Sequence, residues 1–361
     1  MLAVDRGRAG TPNAGDGFCR AVSVAARRRF TNPWPTQPPP GHNNVVRWAL
    51  AHRLKRSPED GEYVVDLATP TYSSPRAEVD DLSITWIGHS TTLVQMGGMN
   101  VLTDPMWADR ASPIRFAGPR RRLPPAIPIA SLPPIDVVLI SHDHYDHLDL
   151  ATVSQLVDRR AETIWLAPLG VGKHLVRAGA RVAHEHAWWD SRTVAELSFS
   201  CVPAQHSSGR GIRDRNRSLW CGWAIATIGE PRRSVYFAGD TAYCPAFVEI
   251  GARLGPFDAC LLPIGAYEPR WYMRYVHMMP EEAVRAYAEL CQGIVVGSMF
   301  VPIHWGTFRI ADEALDEPPR RLRAEWAAAR FPTESLAMLA HGETRWWGRS
   351  AGSRPGEESN A

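Results

Sequence analysis

The pattern of apolar and polar residues along the chain predicts a protein rich in short β-strands. The segment Ile135 to Ile140 is mostly aliphatic, which is typical of a strand buried on both faces. Gly97 and Gly98 mark a turn between two further strands. The other predicted strands lie at residues 83–87, 92–96, 100–103, 163–167, 197–202, 220–228, 235–238, 259–263 and 299–303.

Helical patterns separate some of these strands, mainly in the second half of the chain. Residues 150–159 predict one helix. Pro280 suits the first turn of another, Glu281 and Glu282 favour its positive end, and residues 283–290 continue it. Strand pairs come early and strand–helix alternation comes later. This order predicts an α/β fold in which layers of sheet are covered by helices on both outer faces.

The two ends of the chain depart from this globular pattern. Residues 1–29 are rich in Arg, Ala and Gly and lack the apolar stretch of a secretory signal, so we expect a mobile tail. Prolines are dense over residues 33–40 and favour extended chain, and residues 45–54 predict a short helix. We expect the folded domain to cover residues 30–348 and residues 349–361 to form a disordered tail.

The overall composition is that of a soluble globular protein. The 361 residues are 45% hydrophobic and 22% charged, and the formal net charge of +2 gives no argument for nucleic acid as a partner. No apolar run is long enough to predict a membrane span. The six cysteines form no CxxC pair, so we expect buried thiols, no disulfide framework and a reducing, cytoplasmic location.

Arginines are concentrated in two stretches, residues 110–122 and 210–217. The first lies within a proline-rich loop, residues 105–134, and a loop this long inside a compact domain is usually functional or disordered. Two interpretations remain open at this point. The arginines either belong to ordinary solvated loops, or they form a rim that attracts an anionic substrate or an anionic lipid surface.

The strongest chemical signal follows the strand that ends near Ile140. The string Ser141-His142-Asp143-His144-Tyr145-Asp146-His147-Leu148-Asp149 holds three imidazoles and three carboxylates within eight residues. Burying them without a metal would be costly, and their nitrogen and oxygen atoms suit zinc and related metals. His142 and His144 can serve one metal, and Asp146 and His147 a second. The alternative is a polar, histidine-rich loop without metal.

Two metals need more ligands than this string supplies. His206, Asp240 and His304 each stand just beyond an apolar run that predicts a strand. Functional residues of layered α/β folds tend to lie on the loops that follow strands. A lone histidine is usually structural, but three such placements beside the first cluster favour ligation.

With these ligands in order, the chain resembles the metallo-β-lactamase superfamily. His142 to His147 is similar to the HxHxDH signature of that superfamily, and His206, Asp240 and His304 match its remaining ligand motifs. Further strings resemble its N-acylphosphatidylethanolamine-hydrolysing phospholipase D branch. They lie at residues 32–35, 86–90, 102–105, 112–113, 118–119, 132–136, 237–241, 264–271 and 303–308, with His277 ahead of Pro280-Glu281-Glu282-Ala283. The resemblance covers roughly residues 30–320.

The resemblance implies a four-layer αββα sandwich with two zinc ions, or a similar pair of divalent metals, at one edge of the paired sheets. One metal would take His142, His144 and His206, the other would take Asp146, His147 and His304, and Asp240 would bridge them. His277 and Tyr145 would contact the substrate phosphate, and Asp146 or Asp240 would take up a proton.

For three further residues, more than one role is considered. His277 could instead be a structural histidine satisfied by the backbone where a helix begins. Asp104 would either orient a ligand imidazole or simply make a turn before Pro105. His89 has no ligand place in the superfamily, so a structural or supporting role is expected.

The resemblance further implies a phospholipid substrate that is cleaved to phosphatidic acid and an N-acylethanolamine, with peripheral contact at a membrane. Candidates for that contact are the proline-rich N-terminal segment, Trp48, the loop at residues 105–134, and Trp188-Trp189, although packing is favoured for this pair. The string Ser208-Gly209-Arg210 departs from the branch, which leaves head-group selectivity open. A homodimer is left open as well.

Three other functions compete with this prediction. The first is a hydrolase of the same fold that acts on a lactone, a cyclic phosphodiester or a sugar phosphate. The second is a metal-binding regulator without turnover, which the intact ligand set argues against. The third is a nuclease, which the near-neutral charge disfavours.

Overall fold

Thirteen strands form two mixed sheets in the computed structural model, which describes residues 29–34, 65–114, 116–211 and 213–347. The first sheet has the strand order β13-β1-β2-β3-β4-β5-β6. Its strands are β1 (Leu82–Gly88), β2 (Thr91–Met96), β3 (Met99–Thr103), β4 (Val137–Leu139), β5 (Ile164–Pro168), β6 (Ala183–His186) and β13 (Thr344–Trp347). Strands β3 to β6 are parallel, whereas β13, β1, β2 and β3 pair in antiparallel fashion.

The second sheet has the strand order β12-β11-β10-β9-β8-β7. Its strands are β7 (Ser191–Val194), β8 (Leu197–Val202), β9 (Gly222–Thr227), β10 (Ser234–Phe237), β11 (Ala259–Pro263) and β12 (Met299–Ile303). Strands β10, β11 and β12 are parallel. The α-helices within the described ranges are α1 (Leu150–Arg159), α2 (Gly172–Arg177), α3 (Ala246–Leu254), α4 (Arg270–Met273), α5 (Pro280–Leu290) and α6 (Glu317–Ala328).

The core has two main layers because successive side chains of a buried strand point to opposite faces. Val138 of β4 packs in a cluster with Val153 and Leu156 of α1 on the outer face of the first sheet. Its neighbours Val137 and Leu139 pack between the two sheets. On the far side, Tyr287 of α5 lies against Phe300 of β12, with ring centroids 5.5 Å apart. The predicted four-layer αββα sandwich is therefore confirmed.

Hydrogen bonds join the two sheets at the edge where the parallel strands end. The Cys221 amide donates to the Ser141 carbonyl oxygen (2.9 Å), and the Trp223 indole N–H donates to the Ile140 carbonyl oxygen (2.9 Å). At the other side of this edge, the His304 amide donates to the His89 carbonyl oxygen (3.1 Å). These bonds hold the loop after β4 against the start of β9, and the loop after β12 against the turn between β1 and β2.

Most predicted elements are confirmed, and several were missed. The two predicted helices within the described residues begin and end where they were expected. Strand β4 covers only part of residues 135–140, and β9 only part of residues 220–228. The predicted helix at residues 45–54, residues 35–40 of the proline-rich segment, Trp48 and the tails at 1–28 and 348–361 lie outside the described residues. The missed elements are β6, β7, β13, α2, α3, α4 and α6.

Two other expectations concern side chains rather than elements. The five cysteines of the described residues are free and buried, as expected, and Cys19 lies outside that range. Trp188 and Trp189 both pack against the core, and the Trp188 indole donates to the Trp220 carbonyl oxygen (2.6 Å), which supports packing for this pair. Among the described residues, no helix combines the length and apolar character that crossing a bilayer requires.

Candidate metal centre

The histidine-rich loop begins at Ser141, which Asp104 fixes at the end of β4. The Ser141 amide donates to Asp104 Oδ1 (2.7 Å), and the Ser141 hydroxyl donates to Oδ2 (2.6 Å). Asp104 directly follows β3, the parallel neighbour of β4, and it is fully buried. Asp104, at the end of β3, therefore sets the direction in which the loop after β4 begins.

The same network fixes the orientation of three imidazoles. His147 Nδ1 donates to Asp104 Oδ2 (2.7 Å), His142 Nδ1 lies 2.8 Å from Ser141 Oγ, and His206 Nδ1 donates to the Val276 carbonyl oxygen (2.7 Å). A partner on Nδ1 leaves Nε2 unprotonated and available as a ligand atom. All three rings thus present Nε2 to a common interior.

His142, His144 and His206 converge as one set. His144 Nδ1 lies 2.8 Å from His142 Nε2 and 3.2 Å from His206 Nε2. Without a metal, this contact would need protons on buried imidazole nitrogens. A metal ion would instead accept a lone pair from each of the three.

Asp146, His147 and His304 converge as a second set. Asp146 Oδ2 lies 3.4 Å from both His147 Nε2 and His304 Nε2. His89 approaches the same carboxylate, with its Nε2 3.0 Å from Asp146 Oδ2. His304 adopts a positive φ of 61°, and the Cβ of any residue replacing Gly265 would meet its carbonyl oxygen at 2.3 Å. Only glycine fits there, so Gly265 permits the turn that aims His304 inward.

Asp240 lies between the two sets. Its Oδ2 is 3.1 Å from His147 Nε2, 3.8 Å from His206 and 3.9 Å from His142, and its Oδ1 is 3.1 Å from His304 Nε2. It follows β10 through Gly239, which has a positive φ of 59°. One carboxylate thus reaches ligand atoms of both sets, which is the position of a bridging ligand.

Unpartnered atoms at this centre fit metal binding. His147 Nε2, His304 Nε2 and Asp240 Oδ1 are buried, and none has a hydrogen-bond partner within the described ranges. They lie close together without the geometry of hydrogen bonds, because they point at shared space rather than at one another. Leaving such groups buried and unsatisfied costs about 1–3 kcal/mol each, and a metal ion would remove that cost. The donor set therefore fits divalent metal ions.

Burial and charge set the protonation of these ligands. Burial lowers the pKa of His206 to about 3 and holds the pKa of His142 well below its ordinary value, so both imidazoles are neutral at pH 7. Burial alone would raise the pKa of Asp240, but His147 and His304 outweigh it and hold that pKa well below its ordinary value. Burial alone would lower the pKa of His304, but Asp240 raises it to about 9. Without metal, His304 is therefore protonated at pH 7. Metal binding would displace that proton, because neutral imidazoles and ionised carboxylates are the forms that bind metal.

His277 lies beside both sets. Its ring centroid is 5.1 Å from that of His206 and 5.3 Å from that of His304, and its buried Nδ1 has no hydrogen-bond partner in the described part of the chain. The Arg270 guanidinium donates to the His277 carbonyl oxygen (3.1 Å) and forms an ion pair with Glu282 of α5 (2.8 Å). The backbone of His277 is thus anchored, whereas its Nδ1 remains available.

The Tyr145 side chain lines a groove beside the metal-binding residues. Its hydroxyl donates to the Arg210 carbonyl oxygen (2.8 Å), and the Arg210 guanidinium lies 4.0 Å from the centroid of its ring. The groove has a volume of about 1130 Å³ and is lined by Trp107, Arg110, Ile129, Tyr145, His174 and Arg210, among others. The proton of Tyr145 is therefore already engaged.

Several contributing groups were not predicted from the sequence. Ser141 links Asp104 to His142, the Val276 carbonyl orients His206, and Arg210 fixes the loop through the Asp143 and Leu148 carbonyl oxygens (2.8 and 2.7 Å). Ser141 stands inside the motif and could have been suspected. A backbone carbonyl carries no signal in the sequence. Of the two interpretations of Asp104, the structure supports the one in which it orients an imidazole.

Comparisons with known proteins agree with this geometry. A family model described as a beta-lactamase superfamily domain matches residues 99–305. An uncharacterized protein of Mycobacterium tuberculosis is 48% identical over 314 residues, which are 84% of this chain and 80% of that protein. The N-acyl-phosphatidylethanolamine-hydrolyzing phospholipase D 1 of Caenorhabditis elegans is 37% identical over 325 residues, 86% of this chain and 88% of that protein.

A solved structure supports the fold. The metallo hydrolase Igni18 from the archaeon Ignicoccus hospitalis superposes with a TM-score of 0.53 at 21% identity, covering 75% of this chain and all of that one.

Proposed function

Because this chain belongs to the metallo-β-lactamase superfamily and is a metal-dependent hydrolase, we propose that it is a dinuclear zinc phosphodiesterase of the phospholipase D type. The proposed substrate is N-acylphosphatidylethanolamine or a related phospholipid, cleaved to phosphatidic acid and an N-acylethanolamine. The observation that carries the lipid assignment is the 37% identity to the C. elegans enzyme over most of both chains.

The arrangement of ligands supports the dinuclear part of the proposal. We assign one zinc to His142, His144 and His206, and the other to Asp146, His147 and His304. Asp240 would bridge them, since its two oxygens approach ligand atoms of both sets. When bound, the two ions supply a hydroxide nucleophile at neutral pH and positive charge beside a phosphodiester.

The chain's own residues complete the chemistry. Burial alone would raise the pKa of Asp146 and of Asp240, but His147 outweighs it and holds both carboxylates ionised. Either carboxylate would pass the proton from the attacking water to the alcohol oxygen as the P–O bond breaks, so the proton does not stay on it. The free Nδ1 of His277 can donate to a phosphoryl oxygen, where charge grows as the P–O bond to the alcohol breaks. Tyr145 forms the groove wall beside the centre, and its ring and hydroxyl are fixed by Arg210.

The test is a substrate panel on purified, zinc-loaded protein. N-Acylphosphatidylethanolamine in mixed micelles, a long-chain lactone and bis-p-nitrophenyl phosphate would be compared, with products identified by mass spectrometry. We expect the lipid to be the best substrate, and a reaction in H₂¹⁸O to place the label in phosphatidic acid, because water attacks phosphorus. Faster turnover of the lactone would refute the lipid assignment.

Matched variants separate the enzyme from a non-catalytic metal-binding protein. Asp146→Asn should lower chelator-sensitive turnover about 100-fold or more, since it weakens a metal ligand. Asp143→Asn is the control, because Asp143 lies in the same string but accepts from the Gly209 amide (2.7 Å) outside both ligand sets. Equal turnover in the two variants would contradict the assigned ligands, and no chelator-sensitive turnover in the wild type would favour the regulator.

A further inference from the structure

The arginine-rich stretch folds back on itself as a hairpin, of which the structure describes residues 109–114 and 116–122. The Arg121 amide donates to the Asp109 carbonyl oxygen (2.7 Å), and the Ala111 amide donates to the Pro119 carbonyl oxygen (3.1 Å). Arg110 and Arg120 pair across it, and the Arg110 guanidinium donates to the Gly118 carbonyl oxygen (2.6 Å). We call this segment the 109–122 hairpin.

The tip of the hairpin presents apolar side chains to solvent. Phe116 is 85% exposed and Ile114 is 45% exposed. The Ala117 amide donates to the Ile114 carbonyl oxygen (3.3 Å), and the Cβ of any residue replacing Gly118, at φ 96°, would lie 2.6 Å from Ser112 Cβ. These contacts join the described residues on the two sides of position 115.

The charge around these side chains is positive. Residues 109–122 contain five arginines and a single acidic residue, Asp109. Arg120 and Arg122 are exposed. Apolar side chains surrounded by arginines match the boundary of an anionic bilayer, where rings enter the headgroup region and guanidinium groups meet lipid phosphates.

The hairpin is attached to the metal centre at its base. The Arg122 amide donates to the Thr307 carbonyl oxygen (2.9 Å), three residues beyond His304. The buried Arg121 guanidinium lies 4.8 Å from the Phe308 ring centroid, and that ring makes an edge contact with His89. Arg110, Ser112 and Pro113 also line the groove that reaches Tyr145. The same hairpin that carries the tip therefore forms part of the groove wall.

We propose that the 109–122 hairpin docks this enzyme on an anionic phospholipid bilayer. Ile114 and Phe116 enter the boundary between headgroups and acyl chains, and Arg120 binds a lipid phosphate. The inference rests on the proposed function in one respect, that the substrate is a membrane phospholipid. It goes beyond that function by identifying the 109–122 hairpin as the surface that contacts the membrane and anionic lipids as those it prefers.

The test measures vesicle binding rather than turnover. Wild type and variants would be sedimented with phosphatidylcholine vesicles, with or without phosphatidylglycerol. Phe116→Ser should weaken binding about tenfold, the effect of losing one buried aromatic side chain. Arg120→Ser should weaken it about fivefold, and only with phosphatidylglycerol present. Val296→Ser is the control, because Val296 is 76% exposed and precedes β12, at the opposite end of that strand from His304.

Each outcome supports or overturns the docking surface. Weakening by Phe116→Ser but not by Val296→Ser supports it, provided that both variants hydrolyse soluble bis-p-nitrophenyl phosphate like the wild type. Wild-type protein that ignores anionic vesicles overturns it, as does Phe116→Ser protein that binds them normally. If the wild type binds vesicles through the hairpin yet does not cleave N-acylphosphatidylethanolamine, the substrate assignment fails and the docking surface stands.

Discussion

The substitution Asp104→Asn tests how the chain prepares its metal centre. Asp104 makes no direct contact with a metal in our assignment, yet its Oδ2 accepts from both His147 Nδ1 (2.7 Å) and the Ser141 hydroxyl (2.6 Å). Asparagine keeps one carbonyl oxygen, which would still accept the hydrogen bond from the Ser141 amide. Its NH₂ group would then face His147 Nδ1 and favour the tautomer that carries the proton on Nε2. That tautomer cannot bind metal.

The expected magnitude follows from this geometry. Replacing the partner behind a ligating histidine typically costs 10–100-fold in metal affinity, which corresponds to about 1.4–2.7 kcal/mol. Asp104 also supports His142 through the Ser141 hydroxyl (2.8 Å to Nδ1), so both ligand sets depend on it. We therefore expect the weaker of two zinc affinities to fall by about 100-fold, near the upper end of this range.

Competition with a chromophoric zinc chelator would measure both affinities, with circular dichroism confirming that the variant is folded. Asp136→Asn is the matched control. Asp136 precedes the same strand β4, is largely buried, pairs with Arg76 and accepts from the Asn100 amide (2.9 Å). It should change stability but not zinc affinity. Wild-type zinc affinity in Asp104→Asn would refute the reasoning, because it would mean that His147 is oriented without this carboxylate.

Three further predictions follow from the same centre. His277→Asn should lower kcat on the phospholipid about 100-fold, as expected for one lost donor to the phosphate, while zinc content stays unchanged. Metal analysis and steady-state kinetics on the same preparation check this, and an unchanged kcat would contradict it. Gly239→Ala should lower the free energy of unfolding by about 2 kcal/mol or more, because the added Cβ would lie 2.4 Å from the Cβ of Ser141. Urea unfolding measures this, and an unchanged midpoint would show that the backbone shifts to accommodate the methyl group. Chelation should lower the Tm, and zinc restored at about 100 times its Kd should return about 2.7 kcal/mol of stability, whereas a Tm insensitive to chelator would show that metal and folding are not linked.

The fold was largely predictable because many of its strands are strongly apolar. Strands β8, β11 and β12 were predicted with the bounds that the structure has, since β11 and β12 are almost wholly buried and buried residues alternate with partly buried ones along most of β8. Strand β7 was missed because its residues are mostly exposed and polar, so no alternation marks it. Strand β13 forms only by pairing with β1, more than 250 residues away, and such a contact leaves no local pattern.

The candidate site was predictable for a related reason. His206, Asp240 and His304 follow strands whose ends meet at one edge, so their positions in the sequence indicate that they lie together. Their orientation was not predictable. The carbonyl of Val276 holds His206, and nothing in the identity of residue 276 reports that contact. The contact between His89 and Asp146 was likewise hidden, because it depends on how the β1–β2 turn meets the histidine-rich loop.

A crystal structure of the zinc-loaded protein, with anomalous data at the zinc edge, tests the central claim most directly. We predict two peaks about 3.5–4 Å apart, the spacing of two-metal hydrolytic sites. One should lie among His142, His144 and His206, the other among Asp146, His147 and His304, with Asp240 contacting both. A single peak, or zinc bound away from these residues, would contradict the claim that the chain assembles a two-metal hydrolytic centre.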